Sequence, residues 1–188
     1  MKAERSIPVR ILWFGLKFLL LVGVLVSLWW LVLMQYYGWL LGQVTAGTLI
    51  NAFGLNVEAM RVQMDGYFNT KSLILLQIDG RQGGIPLAGL VTNMPPYWAL
   101  VLATGGLHWR RRLFALLGGS LILFATHYAF CLLIMVFGRT MAQAPQLPMA
   151  LGEFFITLPF VLWIVLAGWP KIAAYVYGNR RDPVAEVK

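Results

Sequence analysis

The stretch FLLLVGVLVSLWWLVLM, residues 18 to 34, contains no charged residue. About 17 such residues, rising about 1.5 Å each in a helix, are just enough to cross the hydrocarbon core of a membrane. Lys17 precedes the stretch, and Trp29 and Trp30 lie towards its far end. A cation that extends towards water and interfacial tryptophans are typical of the two ends of a spanning helix. The stretch therefore predicts a first span, with residues 1 to 17 in the cytoplasm.

The composition indicates a membrane protein rather than a water-soluble one. Of the 188 residues, 60% are hydrophobic and 12% are charged, which requires several segments to lie in lipid. The formal net charge of +8 comes from Lys and Arg residues beside apolar segments, which favours membrane topology over nucleic-acid binding. A single cysteine excludes an intrachain disulfide framework and a Cys-rich zinc site. We therefore expect no metal, no cofactor and no nucleic-acid partner.

Three further apolar segments predict three further spans. Residues 113 to 138 and residues 150 to 169 are long and apolar. Residues 93 to 112 contain a double proline, Pro95 and Pro96, which a helix tolerates in its first turn. A short span that begins at these prolines keeps them out of the helix interior, where proline breaks a helix. The predicted fold class is an all-α polytopic membrane protein with four transmembrane helices.

The Lys and Arg residues predict which side of the membrane each segment faces. With the N-terminus inside, eleven cations lie inside and four outside, in agreement with the positive-inside rule. The inner set comprises Lys2, Arg5, Arg10, Lys17, Arg110, Arg111, Arg112, Lys171, Arg180, Arg181 and Lys188. The outer set comprises Arg61, Lys71, Arg81 and Arg139. Residues 139 to 149 are then an outer loop, and residues 170 to 188 are a cytoplasmic tail.

Residues 35 to 92 connect the first two predicted spans and lie outside the cytoplasm in this topology. Residues 38 to 54 keep small and apolar side chains at helical spacing and predict a helix lying on the outer membrane surface. Residues 56 to 64, 72 to 78 and 85 to 91 are strand-like runs separated by Asp-Gly dipeptides and other turn residues. They predict a small extracytoplasmic antiparallel β meander.

The stretch ATHYAFC, residues 125 to 131, raises the question of an intramembrane active site. His127 and Cys131 share one helix face, as a nucleophile and its base or two metal ligands would. A reactive cysteine needs an electropositive setting, and the apolar segment around this pair holds no Lys or Arg. We favour packing instead, with the imidazole hydrogen-bonded to a neighbouring helix through Thr126 or Tyr128.

Glu153 is the remaining candidate for chemistry, because it is the one carboxylate near a predicted span. At the start of the fourth predicted span it would favour the positive end of the helix dipole, which explains it without any reaction. A proton-relay role is the alternative. Phosphate-binding loops and the HExxH, GxSxG and CxxC motifs are absent from the sequence.

The order of these parts, together with three motifs, resembles the exosortase and archaeosortase superfamily. The motifs are TNMPPYWALVLAT (92–104), HWRRRLFALLGGSLILF (108–124) and EFFITLPFVLW (153–163). Members of that superfamily are membrane cysteine transpeptidases that recognise C-terminal sorting tails. The resemblance covers roughly residues 10 to 170, and it implies a bacterial inner (plasma) membrane protein. The cation count above places both of its termini in the cytoplasm.

The catalytic positions that this resemblance implies are not filled by the expected residues. VTNMPPYW (91–98), at the start of the second predicted span, contains no cysteine. His127 falls where an Asn is usual, Phe130 falls near the position of an Arg, and the fourth predicted span has no His. The pair THYAFCLLIMVF (126–137) and GEFFITLPFVLWIVL (152–166) is similar to the last two helices of the exosortase-associated membrane proteins, which are non-catalytic.

We therefore expect an accessory or scaffold protein of an exosortase-type protein-sorting system, and no enzyme. Its partners would be membrane lipid and another integral membrane protein, namely the exosortase-like enzyme, or the substrate that this enzyme sorts. The meander and the turn after it would bind the partner or an extended substrate. The residues expected at that contact are Gln77, Arg81, Thr92, Asn93, Tyr97 and Trp98.

Two other functions remain open from the sequence. A divergent membrane transpeptidase or hydrolase would use His127, Cys131 or Glu153. A structural subunit of an unrelated membrane complex would also suit a small, basic, multi-pass chain.

Overall fold

The computed structural model describes residues 7–66, 71–142 and 146–169. The helices in these ranges are α1 (Ile7–Leu28), α2 (Met34–Phe53), α3 (Leu87–Val91), α4 (Met94–Ala103), α5 (Trp109–Ala142) and α6 (Gln146–Trp163), with π-helical segments at Trp29–Leu33 and Ile164–Gly168. The strands are β1 (Val57–Gln63), β2 (Leu73–Ile78) and β3 (Arg81–Pro86). The predicted cytoplasmic tail, residues 170 to 188, lies outside the described residues. The predicted outer loop, residues 139 to 149, is helical at 139–142 and 146–149.

The first helix is longer than the sequence predicts. α1, the π-helical segment and α2 are continuous, so the predicted span at 18 to 34 and the predicted surface helix at 38 to 54 form one element, here called the N-terminal helix. No proline lies between Ile11 and Phe53 to interrupt it. It ends at Gly54, which has a left-handed φ of 64° and donates its N–H to the helix.

Two glycines of the N-terminal helix let the sheet pack directly against it. A Cβ atom added at Gly42 would lie 2.9 Å from Met60 Sδ and 3.1 Å from Ile74 Cγ2. A Cβ atom added at Gly38 would lie 2.5 Å from Leu87 Cδ2 of α3 and 3.4 Å from Val62 Cγ1 of β1. Glycine permits this close approach because it has no side chain. The second half of the helix is therefore the support of the sheet and not a separate helix along the membrane surface.

The predicted antiparallel meander is confirmed as a three-stranded sheet in the order β1–β2–β3. A two-residue turn, Asp79 and Gly80, joins β2 to β3. Its φ angles are 48° and 72°, and both central residues of the tight turn that matches hairpin twist need positive φ. Ile74, Leu76 and Ile85 are fully buried and form the inner face of the sheet.

The third strand lies earlier in the chain than the sequence predicts. β3 ends at Pro86, and most of the apolar run predicted as a strand at 85 to 91 is the short helix α3. Four of the five residues of α3 are buried in the core. A short apolar run fits a buried strand and a buried turn of helix equally well, so periodicity alone does not separate them.

Contacts at the two ends of the helices give the helix directions. At one end, the rings of Phe14 and Trp163 are 5.9 Å apart, and Trp163 Nε1 donates to Thr104 Oγ1 at 2.8 Å. α5 begins shortly after Thr104, at the same end. At the other end, Tyr37 is hydrogen-bonded to His127. The N-terminal helix and α5 therefore run in the same direction, and the chain returns through α3 and α4. These ends are called the Thr104 end and the sheet end below.

Two helices are long and apolar enough to cross a membrane, namely Ile11–Phe53 with 43 residues and Trp109–Gly138 with 30 residues. Only 6% and 17% of their most apolar windows are buried inside the protein, which favours lipid over a soluble core as their surroundings. The four predicted spans are not supported. The other apolar helices, Leu87–Ala103 and Gly152–Gly168, are shorter than a span requires.

The predicted second span is too short because the chain turns at both ends of α4. Pro95 and Pro96 do lie in the first turn of α4, but the helix has ten residues, about 15 Å in length. A turn with Gly106 at φ 73° follows it. The arginines from 110 to 112 already belong to α5.

We predict that Gly119→Ala destabilises the protein and that Gly118→Ala does not. A Cβ atom at Gly119 would collide with the buried ring of Tyr97 on α4, whereas Gly118 has open space around it. Overpacking costs about 1–3 kcal/mol. Alanine gains up to about 1 kcal/mol of helix propensity over glycine at the control position. Thermal unfolding in detergent measures both, and equal Tm values would contradict the packing of α4 on α5.

Candidate functional sites

A buried polar seam joins the N-terminal helix to α5 at the level of ATHYAFC. The Tyr37 hydroxyl and His127 Nδ1 form a hydrogen bond of 2.7 Å. The imidazole is fully buried, and its centroid lies 5.6 Å from that of the Phe155 ring on α6. His127 is hydrogen-bonded to a neighbouring helix, but through Tyr37 instead of Thr126 or Tyr128.

The polar seam continues along the same faces of the two helices. The hydroxyls of Thr48 and Tyr128 form a hydrogen bond of 2.7 Å. The fully buried Cys131 lies beside Thr45, whose own hydroxyl donates to the Leu41 carbonyl at 2.8 Å. Polar contacts between helices in an apolar region hold the helices in one register, because any other register leaves these groups unpaired. The seam consists of Tyr37, Thr45, Thr48, His127, Tyr128 and Cys131.

Three residues of the seam, Thr45, His127 and Cys131, are fully buried, and the other three are half-buried. Neither His127 nor Cys131 has exposed surface, so neither meets a substrate that approaches from water or lipid. His127 Nε2 has no hydrogen-bond partner within the described residues. The same residues contain no group of three or more His, Cys, Asp or Glu side chains that could hold a metal ion. These contacts are those of a structural joint between helices.

Glu153 lies elsewhere and has different surroundings. α6 begins at Gln146, so Glu153 is two turns inside the helix and not at its start. The helix dipole acts within the first turn, and it therefore does not account for this carboxylate. The side chain is exposed, and its residue contributes only its backbone carbonyl to the bond donated by Thr157.

Two of the predicted partner-contact residues, Tyr97 and Trp98, fasten α4 to α5. Tyr97 is fully buried, and its hydroxyl donates to the carbonyl of Ala115. Trp98 Nε1 donates to Ser120 Oγ at 2.8 Å. These two aromatic side chains, which were predicted to contact a partner, thus pack between α4 and α5 inside the protein.

Thr92 and Asn93, in the turn before α4, are also engaged within the protein. Thr92 Oγ1 donates to the Ala88 carbonyl, and Asn93 Nδ2 donates to the Phe155 carbonyl at 3.2 Å. Both side chains are half-buried. They connect α3 and α6 to this turn and leave little surface for a partner.

Gln77 and Arg81, the remaining predicted contact residues, are exposed on the sheet. Gln77 Nε2 donates to Glu58 Oε2 at 2.6 Å, and Glu58 Oε1 accepts the N–H of Gly80 at 2.9 Å. Glu58 therefore fixes the β2–β3 turn against β1. Arg81, at the start of β3, lies beside an open groove.

The groove runs between β3 and α5 and has a volume of about 940 Å³. Its walls come from the end of the N-terminal helix, the β2–β3 hairpin and the far half of α5. Most of the side chains are apolar, with Asp79, Arg81 and Gln82 as the polar ones. The lining residues are Phe53, Leu55, Ile78, Asp79, Arg81, Gln82, Gly83, Gly84, Ile134, Met135, Val136 and Gly138.

β3 leaves its outer edge unpaired within the described residues, since it pairs with β2 alone. The N–H of Leu87 donates to the Ser72 carbonyl at 2.9 Å, which sets the alternation of hydrogen-bonded pairs along this antiparallel ladder. By that alternation, Gln82 and Gly84 direct their N–H and C=O groups away from β2. Pro86 occupies the next outward position, where its missing N–H removes no bond to β2.

The residues of the N-terminal helix that pair with ATHYAFC were not among the predicted site residues. Tyr37, Thr45 and Thr48 fall within residues 35 to 92, which were predicted to lie outside the cytoplasm between the first two spans. A signal was available, because these residues and Leu41 recur at intervals of three and four and so share one helix face. Polar side chains at that spacing in an apolar helix indicate contact with a second helix.

Comparison with protein-family models, with curated proteins and with solved structures gives no match. The seam and the groove therefore rest on their own geometry as candidate sites. The seam is closed and polar, and the groove is open, mostly apolar and bordered by an unpaired strand edge.

We predict that Tyr37→Phe lowers the stability of the protein and that Tyr36→Phe leaves it unchanged. Removing the Tyr37 hydroxyl leaves the buried His127 Nδ1 without its partner, which costs about 1–3 kcal/mol. The control side chain is 69% exposed. Each kcal/mol lowers the Tm of a chain this size by about 2–4 °C, which thermal unfolding in detergent resolves. An unchanged Tm for Tyr37→Phe would show that this bond does not hold the helices together.

Proposed function

We propose that this chain is a non-catalytic accessory protein of an exosortase-type sorting system in a bacterial inner membrane. It binds an extended segment of its partner protein along the outer edge of β3. The observation that carries the proposal is the unpaired edge at Gln82 and Gly84, which borders an open groove. The exosortase-type sorting system is inferred from the resemblance of the sequence motifs to the exosortase and archaeosortase superfamily.

A strand edge recognises a partner mainly through its backbone. Outward N–H and C=O groups accept an added strand irrespective of the partner's sequence, and pockets for alternate side chains supply the selectivity. β3 has six residues, so it matches an extended segment about 20 Å long. The groove beside it gives the added strand room between the sheet and α5.

The groove favours a partner segment with apolar side chains and one acidic group. Ile134, Met135 and Val136 of α5, with Phe53 and Leu55, give an apolar wall for the side chains that face it. Arg81 lies at one end of the strand edge and can pair with a carboxylate of the partner.

The position of the candidate catalytic side chains supports a binding role over transpeptidation. His127 and Cys131 are fully buried in the seam, and the exposed Glu153 is on a different helix. Nucleophilic catalysis requires a nucleophile and a base that both reach a substrate. The groove contains no histidine and no cysteine among its lining residues.

The distribution of charge supports placing the sheet outside the cytoplasm. Among the described residues, the sheet and its turns carry three cations, Arg61, Lys71 and Arg81, together with three carboxylates, Glu58, Asp65 and Asp79. The Thr104 end carries the three successive arginines from 110 to 112 and no carboxylate among those residues. Cations concentrate on the cytoplasmic side of membrane proteins. In this orientation the N-terminus is cytoplasmic and the groove faces the compartment in which sorted proteins arrive.

We predict opposite labelling of the two ends by a membrane-impermeant maleimide. In a Cys131→Ser background, the Arg61→Cys variant should label in spheroplasts, because β1 lies outside. The Arg110→Cys variant should label only after permeabilisation. Both arginines are exposed, so burial does not limit either reaction. Reversed labelling would show that the sheet lies in the cytoplasm, and this would contradict the proposed binding of sorting-system proteins outside it.

We predict that a photo-crosslinking residue at Gln82 captures a second protein in the native cell. The same residue at Leu20, which is 64% exposed on the apolar half of the N-terminal helix, is the lipid-facing control and should capture none. Mass spectrometry of the product identifies the partner. If the captured protein belongs to a different complex, this chain is better described as a structural subunit of that complex. If Gln82 and Leu20 give equal amounts of crosslinked product, the proposed binding along β3 is contradicted.

The variants Gly84→Pro and Gly84→Ala distinguish binding by strand addition from binding that does not use the backbone of β3. Proline removes the outward N–H of Gly84 without removing a bond to β2, so the crosslink at residue 82 should be lost. Alanine keeps the N–H, and its Cβ would lie at an ordinary 3.5 Å from Leu75 Cδ2, so the crosslink should persist. Thermal unfolding shows that both variants are folded. Persistence of the crosslink in the proline variant would contradict strand addition.

A further inference from the structure

We infer that the start of α5 is a binding site for the phosphate headgroup of an anionic membrane lipid. The site, called the basic corner, consists of His108, Trp109, Arg110 and Arg111. It lies at the Thr104 end, away from the groove, and does not depend on whether β3 binds a partner.

The basic corner presents its cations outwards. His108, Trp109, Arg110 and Arg111 are all exposed, and Trp109 is 64% exposed. These four residues follow one another at the start of α5, so two guanidinium groups and an imidazole lie in the same turn of the chain. Guanidinium groups bind phosphate oxygens through paired, charge-assisted hydrogen bonds.

Arg112 has a different role and holds the corner in place. It is half-buried, and its Nη2 donates to the Thr104 carbonyl at 3.0 Å. Its backbone N–H donates to the His108 carbonyl at 3.0 Å. Thr104 in turn accepts the bond from Trp163 of α6. The turn that carries Arg110 and Arg111 is therefore anchored to α4 and α6.

The protein itself offers these cations no carboxylate in the part of the chain that the structure describes. Its four carboxylates there are Glu58, Asp65, Asp79 and Glu153. The first three are on the sheet, and the fourth is on the half of α6 that approaches the sheet end. Within the described residues, the cations of the corner therefore have no carboxylate partner, and an external anion can bind them.

The surface beyond the corner is apolar, which selects a lipid over a free phosphate ion. Leu113, Phe114 and Leu117 are exposed along α5 directly after the arginines. Trp169, which follows the π-helical segment after α6, is also exposed. Tryptophans mark the depth of lipid headgroups, and apolar side chains next to them lie against acyl chains. A headgroup at Arg110 and Arg111 places its chains along this face.

The test uses the purified full-length protein in a neutral detergent. Phosphatidylglycerol, phosphatidylcholine and inorganic phosphate are added separately, and bound lipid is counted by native mass spectrometry alongside the Tm. We expect phosphatidylglycerol to bind and to raise the Tm more than phosphatidylcholine does. An equal Tm increase with inorganic phosphate alone would overturn the assignment to a lipid, and an equal effect of the two lipids would overturn the charge recognition.

Matched double variants locate the site. Arg110→Gln with Arg111→Gln should weaken phosphatidylglycerol binding roughly tenfold or more, since each cation contributes separately to anionic-lipid binding. Arg61→Gln with Lys71→Gln removes the same charge from the sheet end and should leave the affinity unchanged. Arg110→Lys with Arg111→Lys keeps the charge but loses the paired guanidinium contacts, so its affinity should lie between those of the native protein and the glutamine pair. The Tm without lipid shows whether each variant is folded. Equal weakening by the two glutamine pairs would overturn the basic corner as the site.

Discussion

The unbroken N-terminal helix is the constraint on which the rest of the structure depends. Its first half contacts α4 and exposes apolar side chains such as Leu12 and Leu19. Its second half contacts the sheet through Gly38 and Gly42 and contacts α5 through the polar seam. A buried imidazole or hydroxyl without a partner is costly in a region that water does not reach, so the seam allows one register of the two helices. The distance between β3 and α5 follows from that register, and this distance creates the groove.

The groove accounts for an otherwise hazardous feature, the unpaired edge of β3. Open strand edges promote aggregation, and proteins protect them with short strands, proline, charge or a covering element. Here Pro86 and Arg81 mark the two ends of the strand, and α5 stands along its side. Met135 of α5 packs over the face of the strand at Gly83, while Gln82 and Gly84 remain exposed. An edge protected in this way suits selective strand addition better than indiscriminate pairing.

The seam and the basic corner show how the same residue type acquires different roles from its neighbours. Arg112 is tied to the Thr104 carbonyl and supports a turn, whereas Arg110 and Arg111 remain exposed. Tyr37 is bonded to His127, whereas the adjacent Tyr36 faces outwards. In each case neighbouring residues point in different directions around the helix, so one side chain packs inside the protein and the other is exposed. The position of an arginine or tyrosine around the helix, and not its residue type, therefore decides whether it can contact a lipid or a partner protein.

The sequence by itself determined the elements that depend on local pattern. Apolar length predicted two spans, 18 to 34 and 113 to 138, that lie within the two long helices, and the Asp-Gly turn predicted a turn after β2, because hydrophobic runs and φ preferences are properties of neighbouring residues. It did not predict that the first helix continues to Phe53, and two further predicted spans are not supported. It also predicted a bond from His127 to another helix. Only the tertiary structure decided that the partner is Tyr37, that Tyr97 and Trp98 are used inside the bundle, and that β3 borders a groove. Those outcomes depend on contacts between residues from about 20 to 90 positions apart in the chain, and no local pattern encodes which distant surfaces meet.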